Sequence, residues 1–111
     1  MAMATFIQEG ASIDYTPVAA VDAGDVVVQE DLVGVAKLDI AASALGALAI
    51  EGVFAFTKTG GSDEAIALGI KCYWDASGEV ATATASTHKL IGKCVKAATD
   101  DDVLVNVKMN Q

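Results

Sequence analysis

The chain reads as an all-β protein, and three observations carry that reading. Runs of β-branched or alternating apolar residues recur along its length, as in "DVVVQEDLVGVA" and "VLVNVKMN". Clusters of Gly, Asp, Ser and Thr punctuate the runs. The apolar side chains are small: 53% of residues are hydrophobic but only 5% aromatic, which suits close strand packing better than a wide ligand cavity. At 111 residues the chain fits one domain with a core of its own.

Taken in order, residues 1–17 stand apart as an extended amino-terminal arm, ahead of a single β-domain at 18–111. In "MAMATFIQEGASIDYTP" the apolar residues Phe6, Ile7, Ile13 and Tyr15 are spaced by polar ones, and Pro17 follows. Proline cannot donate to a sheet ladder, so it suits a strand start or an edge. An edge strand packed on its own domain is the alternative reading of this segment.

Val26, Val27 and Val28, the polar residues 29–31 and an apolar run from Leu32 spell a hairpin. "ALAIEGVFAFTK" reads as one alternating strand, bent by a bulge at Gly52. "TGGSD" is a loop. "IKCYWDASGEVATATAS" gives a strand, a turn near 75–78 and a second strand. "KLIGKCVKAA" is another, "TDDD" turns the chain, and the last strand sets Val103, Val105 and Val107 on one face and Leu104, Asn106 and Lys108 on the other. Helical character is confined to 40–50 and 62–70, each short, so turns are expected there, with at most one or two short helices in the chain.

An internal repeat links residues 23–36 to 68–95. Gly24 matches Gly69, and Leu32-Val33-Gly34 matches Leu90-Ile91-Gly92. A further strand follows each unit, "GVFAFTK" after the first and "VLVNVKM" after the second. Two related β-units folded against each other point to a compact pseudo-symmetric barrel or clip, since two repeats do not make a solenoid.

Charge excludes several partners. The net charge is −8, with seven lysines and no arginine. Phosphate neutralisation and base reading need cations, so no nucleic acid is expected. No apolar run reaches membrane-span length, so no membrane partner is expected either. The opening segment has no signal-peptide pattern, and folding in a cytoplasm with free thiols is the expectation.

The residues able to carry chemistry fall short of any site. Cys72 and Cys94 are far apart in sequence, and with His88 they lack the close ligand pairs of a zinc site. Cys72 shares a strand face with Trp74, as a core residue would. Ser86, His88 and an aspartate form no "GxSxG" elbow. Residues 100–102, all aspartate, lack the spacing of a calcium loop and read as a solvated turn. Gly60 and Gly61 have no lysine to serve phosphate. No catalytic residue, cofactor or metal is assigned, and the chain is expected not to be an enzyme.

Several segments in order carry a resemblance over essentially the whole chain: "MATFIQEG", "IDYTP", "AGDVVVQEDLVGVAKLDIAA", "GALAIEGVFAFTK", "YWDASGEVATA", "KLIGKCVKAA" and "VLVNVKMNQ". Together they resemble a family of small phage and prophage proteins, often labelled RecA/RadA-type recombinases and now read as capsid cement, or decoration, proteins. The missing phosphate loop, the length and the charge all speak against recombinase activity.

The resemblance implies a small β-clip or tulip-like domain, similar in role to lambda-type head decoration proteins. It implies a homotrimer on the outside of the expanded virion head, made in the host cytoplasm and bound to the major capsid protein. Phe6, Ile7, Ile13, Tyr15 and Trp74 are the expected capsid or oligomer contacts, with core packing as the competing role for Trp74. A small β-barrel module for a glycan or peptide on a host surface is the alternative.

Overall fold

The computed structural model describes residues 3–7 and 10–110. Among them, nine strands form: β1 (Ser12–Tyr15), β2 (Val26–Gln29), β3 (Leu32–Ala36), β4 (Gly46–Ala49), β5 (Gly52–Thr57), β6 (Lys71–Asp75), β7 (Val80–Thr82), β8 (Lys89–Lys96) and β9 (Leu104–Met109). They make two antiparallel sheets, ordered β1-β4-β3-β2 and β5-β9-β8-β6-β7. The described residues contain no helix. The stretch 40–50, rich in alanine, instead turns and enters β4, whose pairing with β1 and β3 overrides helix propensity.

The two sheets are the two repeat units. β1, β2, β3 and β4 correspond to β5, β6, β8 and β9, and β7 is the one addition. The correspondence reaches single hydrogen bonds. Gly24 N–H donates to the Ala36 carbonyl (2.6 Å) and Gly69 N–H to the Cys94 carbonyl (2.8 Å). Both glycines sit in the left-handed region, at φ 93° and 88°, where a β-carbon would be strained. Three residues ahead of each glycine, Val21 bridges to Ile40 and Ile66 to Ala98.

Two expectations change here. "GVFAFTK" is not the strand that completes the first unit. It is β5, the counterpart of β1, while "GALA" in β4 is the counterpart of "LVNVKM" in β9. And "ALAIEGVFAFTK" is two strands in different sheets. Gly52, at φ 113°, is where the chain crosses between them rather than a bulge within one strand.

The main core joins the units. Val33 and Val35 of β3 pack with Ile91, Cys94, Val105, Val107 and Met109 of β8 and β9, and with Phe56 and Trp74. A smaller cluster of Ala36, Ile40 and Leu48 fills the first unit. The second unit is nearly a closed barrel. Its end strands meet where Lys58, next after β5, bridges in parallel to Ala81 of β7, and the Thr57 hydroxyl donates to the Glu79 carbonyl (2.5 Å).

Candidate functional site

The rarer residues of the 68–95 stretch are structural. Cys72 and Cys94 are buried, and both are free thiols. Burial pushes the Cys72 thiol up to about 11, with the neighbouring Cys94 adding to the effect. A nucleophilic cysteine needs the opposite shift. Trp74 is 8% exposed and lies against Phe56, ring centroids 5.9 Å apart. His88 is half-buried, with Nδ1 4.0 Å from the Asp75 carboxylate.

The aspartate-rich turn is organised by an internal cation. Lys58 is buried, and its ammonium donates to the carbonyls of Thr59 (2.8 Å), Asp102 (2.9 Å) and Asp100 (3.3 Å). The Asp100 carboxylate accepts from Glu64 and Ala65 N–H, and that of Asp102 from Thr99 N–H. Lysine thus occupies the place where a bound cation would gather these oxygens. Nothing in the sequence pattern singles out Lys58, because its role depends on contacts more than forty residues away. Among the described residues, no three His, Cys, Asp or Glu side chains come together as a metal would require.

What remains accessible is strand edges and apolar surface. Phe6 and Ile7 are 76% and 81% exposed. Ile13 and Tyr15 lie in β1, paired with Leu48 and Gly46 of β4, so residues 12–15 form an edge strand. Both side chains are half-buried on the small cluster of the first unit. Trp74 lines an open groove of about 710 Å³ between the units. Val26 and Val28 of β2 form one wall of that groove and Phe54 and Phe56 the other. The five expected contact residues therefore occupy three places: Phe6 and Ile7 ahead of the first strand, Ile13 and Tyr15 on the β1 edge, Trp74 in the groove. The groove and the β2 edge were not singled out from sequence; the valine triplet was the available signal, since both faces of β2 are apolar. One exposed ion pair, Lys89 Nζ to Asp31 Oδ1 at 2.7 Å, links the β2–β3 turn to β8. The Lys89 hydrogen bond and charge hold the Asp31 carboxyl below its ordinary value.

Fold and surface together define a small all-β module of two repeated sheets that presents strand edges and apolar side chains. The sequence model of the Phage cement protein family matches residues 7–109, and the chain belongs to that family. Its role is accordingly that of a structural protein that cements, or decorates, a phage capsid. No curated protein sequence and no solved structure matches the chain.

Proposed function

We propose that the protein binds the outside of the expanded head as a homotrimer and clamps neighbouring major capsid subunits. The observation that carries this reading is the family match across residues 7–109. The physics of the surface supports it. A ligand that binds only the assembled lattice stabilises it by mass action, with no chemistry required. Two adjacent large apolar side chains, Phe6 and Ile7, stand exposed ahead of β1, where docking on a partner would bury them. Net charge of −8 keeps undocked copies apart.

Light scattering gives the mass in solution, and co-sedimentation with expanded and unexpanded heads of the cognate phage gives the binding. Saturable binding to expanded heads alone, at a fixed ratio to the lattice, is the expected result. The double variant Phe6→Ala/Ile7→Ala is expected to keep the parent's unfolding midpoint and to bind heads at least about tenfold more weakly, the loss of one to two buried side chains. Absence of binding to either head form would overturn the proposal.

A further inference from the structure

The two units differ by one strand, and the difference marks a binding edge. In the second unit β7 lies beside β6, with Tyr73 opposite Thr82, Trp74 opposite Ala81 and Asp75 opposite Val80. In the first unit β2, the counterpart of β6, ends its sheet. The side chains that a fifth strand would cover are the ones left part-exposed. Val27, Val21 and Tyr15 are only partly buried. Their counterparts Cys72, Ile66 and Phe56 are 0%, 4% and 3% exposed.

We propose that the free edge of β2 takes up an extended, cation-bearing segment of a capsid subunit as the missing fifth strand of the first unit. This rests on the capsid-binding reading above. The backbone of β2 is set for it. Ala36 N–H donates to the Asp25 carbonyl, so Asp25 directs that group towards β3. Antiparallel pairs alternate, so Val27 also faces β3 while Val26 and Val28 direct their N–H and C=O groups to the open edge. A strand bonded there sets one row of side chains over Val27 and Tyr15, as Ala81 lies over the second unit's core. Its other row enters the groove beside Val26, Val28, Phe54 and Trp74.

Charge selects the occupant. The residues lining the groove include Asp25 and Glu79 and no lysine. A second copy of this chain brings a net −8 to that edge, whereas a segment with flanking lysine or arginine meets opposite charge. Small β-branched or alanine side chains suit the inward row, because the cluster beneath is only Ala36, Ile40 and Leu48.

Hydrogen exchange of the full chain, free and bound to expanded heads, tests this at single amides. The amides of Val26 and Val28 are expected to slow at least about tenfold on heads. Val28→Pro removes one outward N–H at an edge position that tolerates proline, and is expected to weaken head binding about tenfold, the equivalent of one hydrogen bond. If that variant misfolds, exchange on the unaltered chain still decides. Head binding without slowing at Val26 and Val28 would overturn the site and leave the cement role standing. Slowing in the free protein that grows with concentration would give the edge to a second copy and overturn the capsid segment. No binding to heads would overturn the capsid-binding reading itself, and this inference with it.

Discussion

Alanine at two repeat-equivalent glycines separates a backbone clash from a side-chain one. A β-carbon on Gly92 would lie 1.9 Å from the Lys108 carbonyl oxygen and 2.9 Å from Asn110 N. Carbon and oxygen need roughly 3.3 Å, so β9 must retreat by about 1.4 Å. That movement breaks the pairing of Gly92 with Met109 and the bond from Asn110 N–H to the Ile91 carbonyl. One or two hydrogen bonds at about 1 kcal/mol each are lost, along with part of the burial of Met109, itself about 1.5–3 kcal/mol. The expected cost is about 3–5 kcal/mol, a large share of the roughly 5–15 kcal/mol that holds a domain.

At Gly34 the added carbon meets the Leu48 side chain, with Cβ at 2.9 Å and Cδ1 at 3.1 Å. Leu48 Cβ moves only with β4, but its 2.9 Å contact needs a shift of a few tenths of an ångström rather than more than one, at the usual overpacking cost of about 1–3 kcal/mol. Urea unfolding followed by the fluorescence of Trp74 measures both. With a slope of about 1–3 kcal/mol/M, the Gly92→Ala midpoint should fall on the order of 1 M below that of Gly34→Ala. A Gly92→Ala protein as stable as the parent, or more stable than Gly34→Ala, would refute the close β8–β9 approach and the repeat alignment built on it.

Two further outcomes follow from buried groups. Lys58→Met leaves the carbonyls of Thr59, Asp100 and Asp102 without their shared donor, and a loss of about 3 kcal/mol is expected in thermal or urea unfolding; an unchanged midpoint would show that water replaces the ammonium at no cost. Cys72 holds its proton in the fold up to about 11, while the unfolded thiol releases it near 9.0. The folded value is the raised one, so this contribution is intact below pH 9 and is lost as pH rises towards 11. Urea midpoints at pH 8, 9 and 10 should decline over that interval, with native thiols unreactive to an aromatic disulfide at pH 8; ready labelling of the native protein would contradict the burial.

Much of the fold was legible because each strand carries its own period. The hairpin at 26–36 and the shared buried face of Val105 and Val107 follow from alternation, but Val103, expected on that face, precedes β9 and is 64% exposed, because it still belongs to the turn. The repeat was legible through Gly24 and Gly69, because a left-handed turn needs glycine in both units. Its boundaries were misplaced for a physical reason. "ALAIEGVFAFTK" keeps an unbroken apolar alternation across a change of sheet, and alternation records facing, not which sheet a strand joins. The groove and the β2 edge were hidden for a similar reason: they arise from what pairs with β2, and Val26, Val27 and Val28 look the same in a central strand as at an edge. Phe6 and Ile7 stand out in sequence as apolar residues among polar ones, and the structure leaves both exposed.

The duplication also shows why the open edge lies in the first unit. The second unit is closed by β7, clamped by Lys58 and filled by aromatic and sulfur-bearing side chains. Its larger core holds the domain together. The first unit has Pro17 where the second has Lys58, two residues after Tyr15 as Lys58 is two after Phe56, and its own core is three residues. Fewer buried contacts mean a lower local opening energy, and regions that take up partners are drawn from that end of the scale. One β-unit topology used twice thus yields two properties that conflict in a single copy: a nearly closed barrel that resists unfolding, and an unfinished one whose free edge can be completed by another chain.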